Sequence, residues 1–311
     1  MIPFLDRLHA GRCVLIAGCG GGFDVFSGVP IGTYLVRRGC QVTYANYSLS
    51  ALWDSGGTQV DDVTWLVDEK AASLAYFPEK VLAEWLLRHG WPAPVYAFDS
   101  TGARPLARAY KSLCERHAFD LVVLVDGGTD SLIFGDEPGL GTVLEDAISI
   151  VAACEAAGDR AVLASLGFGV DHYHGVSHHS FLENAARLMR EDGYLGGFSL
   201  VKGTVEADAF LDLIDYANQR QPEHRSIVCN SIAAALRGEF GDVHGTDRTS
   251  DNELFINPLM TQYWTFEAQR VRDCMLFADA LARTDTLRQG LQAIETARQS
   301  ADIRLRRPIP L

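Results

Sequence analysis

Two loops hold the residues best suited to chemistry. One is Gly18-Cys19-Gly20-Gly21-Gly22-Phe23-Asp24; the other is Asp126-Gly127-Gly128-Thr129-Asp130-Ser131, which runs on to Asp136 and Glu137. Glycines permit a sharp turn out of a strand and let a ligand approach backbone amides, and a helix that follows offers its positive end to an anion. Gly18, Gly20, Gly21 and Gly22 are therefore expected to hold an anionic group, with Asp24 fixing a hydroxyl or a cation. In the second loop four carboxylates, Asp126, Asp130, Asp136 and Glu137, fall within twelve residues. Grouped carboxylates hold a divalent cation, exchange a proton, or bind ribose hydroxyls or an amine. Asp130, Glu137 and Asp24 are the expected catalytic groups; Asp126, Gly127, Gly128, Thr129, Ser131, Asp136 and the later Asp171 are expected to line the ligand. The plainer reading makes the aspartates caps and the loop an acidic surface turn. The loop follows the most apolar strand, where open α/β sheets bind ligands, and that favours a site.

Redox chemistry on a dinucleotide fits poorly. A G-x-G-x-x-G fingerprint begun at Gly18 and Gly20 meets Phe23 where its third glycine belongs, and the next strand ends at Asn46 instead of an acid for a ribose. Asp24 would also repel a phosphate unless a cation intervened. Further along, Asp171 precedes His172, His174, His178 and His179. The H-x-H spacing can chelate zinc, iron or nickel; substrate contact, proton transfer and plain loop polarity stay open beside it. Cys229 and Cys19 are candidate nucleophiles, although cysteines in such places are more often small buried residues. The run from Asn252 through Trp264 to Glu267 could close over a flat ring, but aromatic spacing on a helix more often means packing. No G-x-S-x-G elbow and no G-x-x-x-x-G-K-[ST] loop occurs, so a serine triad and ordinary ATPase chemistry lack support.

The elements that must position these groups read as a βαβ series. Strands are predicted at residues 12–17, 41–45, 94–98, 120–125 and 160–166, with helices at 25–38, 79–89, 102–117 and 142–157. Residues 63–67 are an extra strand or a lid. Beyond Gly169 helices are predicted at 180–191, 206–219, 231–239, 258–282 and 284–301, with short strands near 197–201 and 253–256. The fold expected is α/β, a doubly wound, Rossmann-like, mostly parallel sheet with additional C-terminal helices. Residues 1–170 would form the core with the two loops, and 171–311 a mainly helical portion packed on it, both within one domain if the packing is continuous.

The Gly-rich loop ending in Asp24, the 126–131 loop, Glu137, Gly139-Leu140 and Gly169-Val170-Asp171 together resemble the uncharacterised domain-of-unknown-function family 1152 of archaea and bacteria, over roughly residues 12–281. The resemblance implies a Rossmann-like fold with a ligand site at these loops and brings no established reaction with it.

Composition narrows the partners. The 311 residues carry a net charge of −13, which disfavours nucleic acid as the main partner. Arg304, Arg306 and Arg307 read as a solvated tail or a subunit contact, so a homo-oligomer is one option. The longest apolar runs are far short of the ~20 residues needed to cross a bilayer, and no basic-then-apolar leader opens the chain, so no membrane partner is expected. Seven scattered cysteines without a C-x-x-C pair read as reduced thiols in the cytoplasm. The expected function is a small-molecule enzyme, a hydrolase or group transferase for a polar metabolite such as a nucleotide or nucleoside; the cofactor is left open, a divalent metal ion being one option. The rival is a non-catalytic sensing or assembly protein using the same pocket.

Overall fold

Strands covered on both faces read as unbroken apolar runs. The two clearest, Val-Leu-Ile-Ala at 14–17 and Leu-Val-Val-Leu-Val at 121–125, lie side by side at the centre of one large sheet. The computed structural model describes residues 2–250 and 253–309. Its strands are β1 Cys13–Gly18, β2 Gln41–Tyr47, β3 Thr58–Gln59, β4 Thr64–Val67, β5 Val95–Phe98, β6 Leu121–Gly127, β7 Ala161–Leu166, β8 Tyr194–Ser199, β9 Gly241–Asp242, β10 Phe255–Ile256 and β11 Gln262–Glu267. Nine of them form the sheet in the order β3-β4-β5-β2-β1-β6-β7-β11-β8, and β9 and β10 form a separate ribbon. The run β5-β2-β1-β6-β7 is parallel throughout. Chain order reverses between β1 and β6, which makes their carboxyl ends the switch point of a doubly wound fold.

Side chains alternate across the sheet. Leu15, Ala17, Val122 and Leu124 pack against helices Ala103–His117 and Val143–Ala157. Val14, Ile16, Val123 and Val125 face the opposite way, toward helices Val29–Val36, Pro78–Arg88, Val205–Arg220 and Ile227–Arg237. The helix predicted at 25–38 is two, Asp24–Ser27 and Val29–Val36, meeting at Gly28. A side chain at Gly28 would run into Ile16 and Val125, so the glycine lets this turn lie directly on the sheet. Residues 64–67 resolve as a strand, antiparallel to β5.

A second element departs further from its sequence reading. The long helix predicted at 258–282 is a 3-10 turn Pro258–Thr261, the strand β11, and two short helices, Ala268–Cys274 and Ala278–Leu281. Tyr263, Thr265 and Phe266 are buried, β11 pairs antiparallel with both β7 and β8, and the β-forming content of Gln-Tyr-Trp-Thr-Phe-Glu decides for strand over helix. Apolar residues at helical spacing on either side hid this strand. Helix Leu287–Gln299 closes the C-terminal part. Among the described residues no helix is long and apolar enough to cross a membrane.

Candidate functional site

Gly18 at the end of β1 pairs with Val125 near the end of β6, so the two glycine–aspartate loops leave the sheet as neighbours. Gly21 and Gly22 sit at φ of +89° and +60°, the left-handed region that glycine enters at little cost. This turn brings Asp24 back onto its own loop, where Oδ2 accepts a hydrogen bond from the Gly20 amide at 2.7 Å. The amide assigned from sequence to an anionic ligand is thus engaged by the protein's own carboxylate.

Around this point four more aspartates converge. Asp126, within β6, accepts hydrogen bonds from the Ser131 and Ser165 hydroxyls, the latter at 3.2 Å. Asp171 accepts from the Thr129 hydroxyl at 3.0 Å and from the Thr129 amide. Asp130 accepts from both the amide and the hydroxyl of Thr142, 2.7 Å each, and so caps the start of helix Val143–Ala157. Asp146 projects from that helix toward Gly20, where any side chain would collide with its carboxylate. Carboxylate oxygens of Asp24, Asp126 and Asp146 lie within 4.8 Å of one another, and Gly127 is bare because Asp24 Oδ1 fills the space its Cβ would need.

The electrostatics of this group are one-sided. Asp126, Asp130, Asp146 and Asp171 are each at most 5% exposed, and Asp24 is half-buried. Among the described residues, no lysine, arginine or histidine forms an ion pair with any of the five. Burial pushes the Asp126 carboxyl up to about 7, with the charge of Asp130 adding and the serine hydroxyls opposing. Burial first, and then the neighbouring carboxylates, hold Asp24, Asp146 and Asp171 well above the usual range. Asp146 Oδ1 is buried and has no hydrogen-bond partner among the described residues. A buried anion without a partner is costly, and a proton, a cation or a donor-rich ligand relieves it.

Behind the glycine loop lies a second polar group. Asn46 donates to Gly22 O and to Glu79 Oε1, 2.8 Å each, and burial raises the fully enclosed Glu79 carboxyl to about 7.

Glu137 and Asp136 have other work. Glu137 accepts from the amides of Phe134 and Gly135, from Asn184 and from Arg304, and none of its hydrogen bonds reaches the aspartate group. Arg304 also pairs with Asp136 at 2.7 Å and with Glu183 at 2.6 Å, which fastens the C-terminal tail to this loop. The His172 and His178 rings meet with centroids 5.4 Å apart, while His179 faces Glu183 at 3.8 Å. Among the described residues, the one set of three metal-ligating side chains with atoms within 4.8 Å is Asp24, Asp126 and Asp146, and it includes none of His172, His174, His178 or His179. Cys229 and Cys19 are buried; burial raises the first thiol to about 12 and the second well above its ordinary value, which opposes a thiolate nucleophile. Trp264 packs among Phe168, Phe181 and Tyr194, and Asn252 lies outside the described residues.

Asp146 was missed from sequence. Its signal was present: it shares the helix face of Val143, Ser149, Ile150 and Ala153, all buried, where an acid is out of place. A doubly wound α/β chain with a buried aspartate group at its switch point is the class these features define. The chain belongs to the family described as protein of unknown function DUF1152, whose model matches residues 54–307. The match begins beyond the Gly18–Asp24 loop and takes in the second loop, Asp146, Asp171 and the arginine-bearing tail. No curated protein and no solved structure matches the chain.

Proposed function

We propose that this chain is a small-molecule enzyme, a hydrolase or group transferase for a polar metabolite such as a nucleotide or nucleoside, working at the carboxyl ends of β1 and β6. The observation that carries the reading is the set of five aspartates gathered at the switch point without a compensating cation. Asp126, which titrates near neutrality, is the group suited to exchange a proton with substrate or water. Asp24, Asp126 and Asp146 are the residues that would hold a divalent cation, which when bound supplies charge neutralisation and polarises an oxygen of the metabolite. Asp171 and Asp130 position the loop through Thr129 and Thr142. Glu137 is not assigned a catalytic role. Seven free cysteines, six of them buried, support a reducing compartment, the cytoplasm, as the place of action.

The test is direct. Small molecules that copurify with the chain are identified by mass spectrometry, and nucleotides, nucleosides and related metabolites are screened for hydrolysis or group transfer with and without Mg²⁺ or Mn²⁺. Turnover by the wild type that Asp126→Asn reduces at least ~100-fold, a typical general acid–base contribution, bears the reading out. Ligand binding without turnover in any condition overturns it in favour of a sensing protein.

A further inference from the structure

The sequence motif that the proposed reaction leaves unused is the histidine cluster, and the structure joins it to the C-terminal arginines. Arg304 is fixed to Asp136, Glu137 and Glu183, and the chain beyond it lies along the loop and helix that carry the histidines. Ser177 Oγ donates to the Arg307 carbonyl at 3.2 Å, and Arg306 Nη2 donates to His172 Nδ1 at 3.2 Å. Together they border an open cavity of about 410 Å³ lined by His172, Ser177, His178, His179, Arg306 and Arg307 among others. This falls in the size range of small-molecule sites, ~300–1,000 Å³.

The charge of this cavity is opposite to that of the aspartate group. Neither Arg306 nor Arg307 pairs with a carboxylate among the described residues, although the chain as a whole carries −13. Glu183, which faces His179 at 3.8 Å, is engaged by Arg304. His172, by accepting from Arg306 on Nδ1, keeps a proton on Nε2 when neutral and remains a donor. His178 Nε2 is buried with no hydrogen-bond partner among the described residues. Guanidinium groups that pair with no carboxylate, one of them held by the His172 ring, form a donor set with the imidazoles for the oxygens of a phosphate group.

We infer that the cavity between His172, His178 and the Arg306–Arg307 tail is a phosphate-binding subsite that receives the phosphate group of an anionic metabolite. Asp171 and His172 are consecutive, so one short segment presents a carboxylate to the aspartate group and an imidazole to this cavity. A phosphorylated substrate would then be held by its phosphate on one side of the segment while its reacting part lies on the other. The inference deepens the reading above and rests on it only for that link to turnover; the binding itself does not require it.

The experiment is calorimetric titration of the full chain, freed of divalent cations, with inorganic phosphate and separately with adenosine 5′-monophosphate. The wild type is expected to bind at one saturable site, and Arg306→Ala to weaken binding at least ~10-fold with an unchanged circular dichroism spectrum. Arg288→Ala, which removes an exposed arginine that does not line the cavity, should bind as the wild type does. Tighter binding of the monophosphate than of phosphate assigns the site to a phosphorylated metabolite; equal affinity assigns it to the phosphate group alone. Asp146→Asn should keep phosphate affinity, so failure of the carboxylate reading would leave this result standing. No saturable binding, or equal losses in Arg306→Ala and Arg288→Ala, would overturn the inference.

Discussion

Replacing Asp146 by asparagine should make the cation-free protein more stable. Asp146 is 2% exposed, its Oδ1 has no partner among the described residues, and its carboxylate lies within 4.8 Å of those of Asp24 and Asp126. Two like charges at 4.8 Å repel by roughly 3.5 kcal/mol at an effective dielectric of about 20 and by roughly 0.9 kcal/mol in water. Protonation limits this cost, since burial and its neighbours already raise the pKa of Asp146. The isosteric amide removes one acid from the group and can donate to those that remain, so a gain of about 1–3 kcal/mol at pH 8 follows. Unfolding entropy of ~2.1 cal/mol/K per residue over a chain this long converts each kcal/mol into about 1.5 °C. Scanning calorimetry in EDTA should therefore show a midpoint about 2–5 °C above wild type at pH 8, with a smaller difference at pH 6. The order should reverse when a divalent cation is added at saturation, because a ligand present at ~1,000 times its dissociation constant stabilises the wild type by about 4.1 kcal/mol and the variant much less. A variant midpoint below wild type in EDTA at pH 8 would refute the reasoning, because it would mean that the carboxylate is already compensated.

Three other outcomes follow from the same geometry. Asp126 and Glu79 have folded-state pKa values raised to about 7, so the native state binds more protons than the unfolded chain between ~4 and ~7 and stability falls as pH rises through that window, by about 1.4 kcal/mol per pH unit for each excess proton. Urea midpoints of the cation-free protein at pH 6.5 and 8.0 should be higher at pH 6.5, because the two carboxyls lose their protons across this interval, while the downshifted His117 and His178 oppose the trend only at its lower end, where their unfolded forms titrate near ~6.5; equal midpoints count against the raised values. Asp130→Ala removes the acceptor for the Thr142 amide and hydroxyl and should cost about 1–2 kcal/mol in denaturant unfolding, whereas Asp130→Asn, which retains an acceptor oxygen, should cost less than half as much. Arg304→Ala leaves Glu137, 1% exposed, with its amide donors but without its cation, which should cost about 1–3 kcal/mol and free the tail beyond residue 300 for limited proteolysis; a tail that stays resistant would mean that Arg304 is not its anchor.

The central sheet was legible because its strands are buried on both faces. Runs such as Val122-Val123-Leu124-Val125 admit few other readings, and glycine turns followed by amphipathic segments supply the crossovers. The strand order that puts the two loops together follows from that pattern and the switch-point rule. β11 was not legible for the opposite reason. A strand inserted antiparallel between β7 and β8 has no crossover helix of its own to announce it, and Tyr263 and Phe266 fall at a spacing that suits a helix equally well. The pairing that decides between the two periods lies ~70–100 residues away along the chain.

The site divided along a similar line. Glycine loops and carboxylates close in sequence point to Asp24 and Asp126 as neighbours, and their oxygens lie within 4.8 Å, since a loop of a few residues at one sheet edge leaves little freedom. Proximity along the chain failed for Glu137, whose side chain turns from the aspartates toward an arginine 167 residues further on. It failed again for Asp146, which reaches the group from the helix that follows the second loop. Both cases have one physical cause: the partner of a buried charge is chosen by tertiary distance. The clue that survives in sequence is negative. An acid on the apolar face of a helix, as at Asp146, or an acid at the start of an otherwise buried one, as at Glu79, has to find its compensation elsewhere in the fold. For Glu137 the compensation is Arg304; for Asp146 the described residues supply none, and that difference separates a carboxylate that fastens the tail from one that waits for a ligand.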